Sequence, residues 1–85
     1  MRNGLIVENG TKRWYKDDLL HRLYGPAIEF ISGSKSWYQE GKLHRLDGPA
    51  IEYATGAKSW YYKDKFIKVA SQEEFAKLIK LKAFW

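Results

Sequence analysis

The residues able to do chemistry in this 85-residue chain sit mostly in one phrase written twice. Residues 20–30 read Leu-His-Arg-Leu-Tyr-Gly-Pro-Ala-Ile-Glu-Phe, and residues 43–53 repeat this with Asp47 for Tyr24 and Tyr53 for Phe30. Both histidines and both prolines of the chain lie in it. His44, Arg45 and Asp47 have the composition of an anion or phosphate site, since arginine offers a planar fork of donors and histidine one more. Only the second copy holds the complete trio. Recurrence at a fixed offset favours a structural role, in which the side chains hold a bend and the arginine covers an aromatic ring. Two histidines and a carboxylate suit zinc in principle, but His21 and His44 on successive repeats would stand about 10 Å apart, too far to share one ion. Glu29 and Glu52 form a repeated carboxylate pair with the same spacing of about 10 Å, at or beyond the upper end of what glycosidases use; solvent-facing strand glutamates are the commoner case. The chain has no cysteine nucleophile. Ser34, Ser36 and Ser59 carry no hydrolase-like surroundings, and no phosphate-cradling glycine loop occurs. The reading is a non-enzyme with no cofactor, no catalytic residues and no metal.

These residues are positioned by an internal repeat. Aligning residues 11–33 with 34–56 gives 13 identities in 23 positions, among them Trp14/Trp37, Tyr15/Tyr38, His21/His44, Arg22/Arg45, Gly25/Gly48 and Pro26/Pro49. A partial third copy spans 57–68. A fragment precedes the first, with Leu5 and Val7 matching Ile28 and Phe30. Each unit holds two strand-like runs with alternating aromatic and β-branched residues, such as 35–39 and 50–53. Asn9-Gly10, Ser32-Gly33 and Thr55-Gly56 mark one set of turns, and Asp17-Asp18, Glu40-Gly41 and Lys63-Asp64 the other. The His-Arg-Leu-x-Gly-Pro stretch is too polar for a plain strand and reads as a bent connection, with proline at a bend or strand entrance.

The expected fold is mainly β: one curved antiparallel meander sheet of six or seven strands, forming a single domain over 1–85 and capped by a helix. Trp14, Trp37 and Trp60 would form one ladder, and Leu5, Ile28 and Ile51 another, with Val7, Phe30 and Tyr53 beside them. Alternation sends Tyr15, Tyr38 and Tyr61 to the face opposite the tryptophans. Ser71 with Glu74 three residues on is a capping box. Phe75, Leu78 and Ile79 follow at helical spacing, which predicts a helix over about 72–83. It folds onto the last hairpin as a cap or projects toward a partner.

Composition narrows the classes further. The net charge of +5 favours an anionic partner, yet acidic residues are interspersed and no basic run of five or six occurs. The first apolar run, residues 5–7, is shorter than a secretory or membrane-spanning segment requires, so the expectation is a soluble chain in the cytoplasm with no membrane partner. The aromatic content is high, with four Trp, six Tyr and four Phe, and exposed aromatic area on a small chain marks a binding surface or a homodimer contact.

The pattern Trp-Tyr-x-x-Gly-Lys-x-His-x-x-x-Gly at 37–48 resembles a MORN-type repeat, a unit of about 23 residues forming stacked β-hairpins. The Leu-His-Arg-x-Asp-Gly-Pro-Ala phrase is most similar to a variant seen in small proteins of bacteriophages and some bacteria, where a Glu-Glu-Phe helix (here Glu73, Glu74 and Phe75) follows the last hairpin. Tyr24 for Asp47, Asp18 for Gly41, and Phe66-Ile67-Lys68 for Leu-His-Arg depart from it. The resemblance implies a scaffold and says little of activity. It points to a phage-derived protein docking an aromatic, basic surface onto a bacterial host protein, in the host cytoplasm, as an inhibitor of host defence. Trp14, Trp37, Trp60, Tyr15, Tyr38, Tyr61, Arg22 and Arg45 are the candidate contacts. Two other readings stand beside it: stacking and phosphate binding of a nucleic acid or signalling nucleotide, and a structural module of a larger assembly.

Overall fold

Four tight turns set the frame. Both central residues have positive φ at Asn9 and Gly10 (51° and 81°), Asp17 and Asp18 (50° and 69°), Glu40 and Gly41 (51° and 81°), and Lys63 and Asp64 (46° and 70°). That is the two-residue hairpin turn whose twist matches that of the strands it joins. In the computed structural model, which describes residues 1–81, these turns connect ten strands and one C-terminal helix. The strands are β1 (Gly4–Glu8), β2 (Thr11–Lys16), β3 (Leu19–Leu20), β4 (Ile28–Glu29), β5 (Lys35–Ser36), β6 (Tyr38–Gln39), β7 (Lys42–Leu43), β8 (Ile51–Glu52), β9 (Lys58–Tyr62) and β10 (Lys65–Ile67). All pairings are antiparallel, in the order β1-β2-β4-β5-β8-β9-β10, with β3 on β2 and β6 on β7. The sheet is open, as a meander of short hairpins predicts.

The ten strands fall on seven rows, because β3/β4, β5/β6 and β7/β8 are each two halves of one row. The duplicated phrase is what splits β3 from β4 and β7 from β8. The chain leaves the row after Leu20, loops out through the bend, and re-enters at Ala27. Trp14 stands opposite this gap. Its N–H donates to the Ala27 carbonyl (2.8 Å) and its carbonyl accepts from His21 N–H (3.0 Å). Trp37 does the same with Ala50 (2.7 Å) and His44 (3.0 Å). Both backbone groups of the tryptophan opposite each bend are thus paired, and Ala27 and Ala50 beneath it are fully buried.

The first hairpin departs from the expected register. Glu8 faces Thr11 across two residues, whereas Glu29 faces Lys35 across five. A one-residue offset sends every side chain to the other face. Ile6, opposite Arg13, therefore aligns with Ile28 and Ile51, while Leu5 lies opposite Trp14 and shares its face. The ladder expected through Leu5 and Val7 runs through Ile6 instead.

The helix, α1 (Gln72–Leu81), starts where the capping box places it: Ser71 Oγ accepts the Glu74 N–H at 3.2 Å. Of the range expected for it, residues 82 and 83 lie outside the described residues. Phe75 is fully buried against Trp60 and Ile67, with Tyr62, Val69, Leu78 and Ile79 packed around them. Burying a phenylalanine stabilises by about 1.5–3 kcal/mol, so this small core is a principal support of a chain that has few others.

Candidate functional site

The two faces of the sheet differ in what covers them. On the tryptophan face, Arg22 lays its guanidinium over Trp14 (3.7 Å to the ring centroid) and Arg45 does so over Trp37 (3.8 Å). The other side of each guanidinium meets glycine backbone. A Cβ on Gly48 would stand 2.5 Å from Arg45 Cζ, and one on Gly25 3.0 Å from Arg22 Cζ. The glycine of the phrase is there because the sandwich leaves no room for a side chain. Arg22 Nη1 donates to the Pro26 carbonyl and to Glu29 Oε2, both at 3.2 Å. Arg45 Nη1 donates to the Pro49 carbonyl (3.1 Å) and Glu52 Oε2 (3.0 Å), and its Nε donates to Asp47 (3.0 Å). The glutamates expected to face solvent are thus half-buried partners of the arginines. Stacking of this kind contributes about 0.5–2 kcal/mol depending on desolvation.

The histidines do a separate job. His21 Nδ1 accepts the Glu40 N–H (2.9 Å), and His44 Nδ1 accepts the Lys63 N–H (3.1 Å). Each imidazole therefore caps the tip turn of the following repeat through its Nδ1 as acceptor. Asn3 Oδ1 does this for the first tip, accepting from Asp17 N–H at 2.8 Å. Burial, and then the Lys63 charge, lower the His44 pKa below its ordinary 6.5, which keeps the acceptor form at neutral pH. The second turn position adds a further tie: Asp64 Oδ1 accepts the Leu43 N–H (2.8 Å) and Asp18 Oδ1 the Arg2 N–H (3.2 Å). His44, Arg45 and Asp47 are consequently not one hydrogen-bonded trio, since His44 is directed to the next turn. Among the described residues no group of three or more His, Cys, Asp or Glu is placed to hold a metal ion.

Trp60 has no arginine above it. It is only 7% exposed, its indole Nε1 donates to Gln72 Oε1 (2.7 Å), and Gln72 Nε2 donates to the Leu46 carbonyl (3.0 Å). This corrects its place among the contact residues: the helix covers it, so it is core. Trp14, Trp37, Arg22 and Arg45 are half-buried in one another. What this face offers between its two bends is a groove of about 430 Å³ lined in part by Leu23, Tyr24, Leu46 and Asp47, with Tyr24 92% exposed.

The opposite face carries Tyr15, Tyr38 and Tyr61, paired across the strands with Leu20, Leu43 and Phe66. Ile28, Ile51, Phe30 and Tyr53 extend it toward the other end of each hairpin. A shallow depression of about 400 Å³ lies among Phe30, Tyr38, Ile51, Tyr53 and three serines. Because α1 packs against Trp60, no element among the described residues covers this face. Phe66 is 57% exposed and meets Tyr61 edge-on at 5.5 Å. Arg2 covers Tyr15 (4.2 Å) and donates to its hydroxyl (3.1 Å). Burial raises the Tyr38 pKa, with Asp64 and Tyr61 adding to it, so the hydroxyl remains a neutral donor. Sequence reasoning missed Leu20, Leu43, Phe66 and Arg2 here; the 23-residue offset linking Leu20, Leu43 and Phe66 was the available signal.

Compared with protein-family models, curated proteins and solved structures, the chain matches none. No helix among the described residues is long and apolar enough to cross a membrane.

Proposed function

We propose that the chain is a small non-enzymatic binding protein of MORN-like repeats that docks onto a protein of the bacterial cytoplasm through its tyrosine face. The observation that carries this reading is the contrast in cover. The tryptophan face is occupied by Arg22, Arg45 and the helix, whereas on the tyrosine face only Tyr15 lies under an arginine and no element among the described residues lies over Tyr38, Tyr61 and Phe66. Such a face suits a protein partner, since tyrosines supply large contact area together with a polar tip. The phage origin and the role as an inhibitor of host defence come with the repeat resemblance and define where the partner is sought. Nucleic-acid or nucleotide binding draws less support, because the repeated arginines best placed to hold phosphates already serve Glu29 and Glu52.

The test is capture from a bacterial lysate by the tagged chain and by two variants. Tyr15→Ser/Tyr38→Ser/Tyr61→Ser is expected to lose the captured protein, and Leu23→Ser/Tyr24→Ser on the bends is expected to keep it. The reverse pattern would overturn the assignment of the face. Capture that vanishes steeply with salt, together with nucleic acid in the eluate, would favour the nucleic-acid reading instead.

A further inference from the structure

We propose that β1 is a self-association edge, pairing antiparallel with β1 of a second copy about a twofold axis at Ile6. β1 stands first in the strand order, so one of its sides has no neighbour among the described residues. Which backbone groups face that side follows from its partner. Trp14 spends both its N–H and its carbonyl on Ala27 and His21, away from β1, and Leu5 lies opposite Trp14. Leu5 and Trp14 are therefore a non-hydrogen-bonded pair, and the N–H and carbonyl of Leu5 point to the open side; by alternation so do those of Val7.

Hydrogen-bonding residues must oppose one another in an added antiparallel strand. Pairing Leu5 with the copy's Val7, and Val7 with its Leu5, satisfies this and places Ile6 opposite Ile6 and Glu8 opposite Gly4. The register is self-complementary, with no like charges opposed. It covers Leu5 and Val7, which are 49% and 54% exposed beside Trp14. β1 carries no lysine or proline to discourage such pairing: the strand reads Gly-Leu-Ile-Val-Glu. The far edge is different. β10 has three residues, begins with Lys65 and is followed by Lys68. Lysines of that kind are how natural sheets discourage edge pairing, so a head-to-tail chain of β1 on β10 is disfavoured and the closed twofold dimer is preferred. A twofold axis through the sheet leaves both tyrosine faces on the same side. The dimer thus joins two docking faces into one, although its existence does not depend on what those faces bind.

The test is molar mass by light scattering over a concentration series. The expected result is a mass near twice the chain's 10.0 kDa, halved by Val7→Lys and unchanged by Phe66→Lys at the far edge. Register is read in two ways. An equimolar mixture of Leu5→Lys and Val7→Glu chains should regain the doubled mass. In this cysteine-free chain, Ile6→Cys should cross-link under mild oxidation and Glu8→Cys should not, since cross-strand neighbours at a non-hydrogen-bonded pair approach to about 4.5 Å while the two Glu8 positions lie about 13 Å apart along the strands. A wild-type chain that stays monomeric throughout overturns the proposal. So does a dimer that survives Val7→Lys, or one that dissolves with Phe66→Lys.

Discussion

The first two repeats and the third place a tryptophan at the same position and cover it in different ways. Trp14 and Trp37 lie under an arginine held against glycine. Trp60 lies under a helix. Where the earlier units have His-Arg, the third has Ile67 and Lys68. Ile67 is buried in the helix-covered core, and among the described residues no further tip turn follows that would need a histidine acceptor. At the other end of the array Asn3 supplies the acceptor for the first tip. The histidine is thus present where one repeat grips the next and replaced in the third unit, which is followed by the helix among the described residues. The duplicated phrase is a joint: arginine closes its own unit, and histidine ties on the following one.

The comparison is broken most severely at the helix. Phe75→Ala should cost about 3–5 kcal/mol, a large part of the stability of so small a domain. It should expose Trp60, read as a red-shifted fluorescence component and a loss of helical circular dichroism, while the arginine-covered tryptophans lose less. Gly48→Ala attacks the other kind of cover. Its Cβ would meet the guanidinium at 2.5 Å and should drive Arg45 off Trp37 at about 1–3 kcal/mol, measured as a shift in denaturant midpoint. Gly25→Ala should cost at least as much: its contact is looser at 3.0 Å, but its φ of 150° strains any side chain.

His44→Ala should cost about 0.5–1.5 kcal/mol through the lost acceptor of the Lys63 amide. Because the folded state lowers the His44 pKa, the unfolded chain takes up the proton first. The contribution is therefore whole above the ordinary 6.5 and is lost as pH falls through the lowered value. Denaturant midpoints measured from about pH 7.5 to about pH 5 should decline, with a shallower slope in His44→Ala. The smallest effect is expected at Asp47, whose carboxylate is 88% exposed. Asp47→Tyr, which copies the first repeat, should stay within about 0.5 kcal/mol of wild type.

Turn chemistry and alternation made most of the architecture legible. Asn9-Gly10 and Glu40-Gly41 announce their hairpins, Ser71 announces the helix, and the parity of Trp and Tyr along β2 and β9 fixes the two faces. What stayed hidden depends on contacts between units. The partner of His21 is a backbone amide nineteen residues on, at Glu40, which no local pattern marks. The role of Gly25 and Gly48 required knowing that a guanidinium lies above them. The burial of Trp60 required the helix to dock through Gln72, and the offset of Leu5 came from a first hairpin turn shorter than its counterparts. Arginine and tryptophan are common contact residues, so type alone pointed to Arg22, Arg45 and Trp60, and only their neighbours reveal that they are spent internally.

The arginine side chains give the most direct test that the phrase builds the scaffold and is not a ligand site. In a proton–nitrogen NMR spectrum of the free chain, the Nε–H signals of Arg22 and Arg45 should be displaced upfield by the indole rings and slow to exchange. Trp14→Leu and Trp37→Leu should each return only their own arginine to the ordinary position. Two freely exchanging signals at solvent positions, indifferent to both substitutions, would contradict the account.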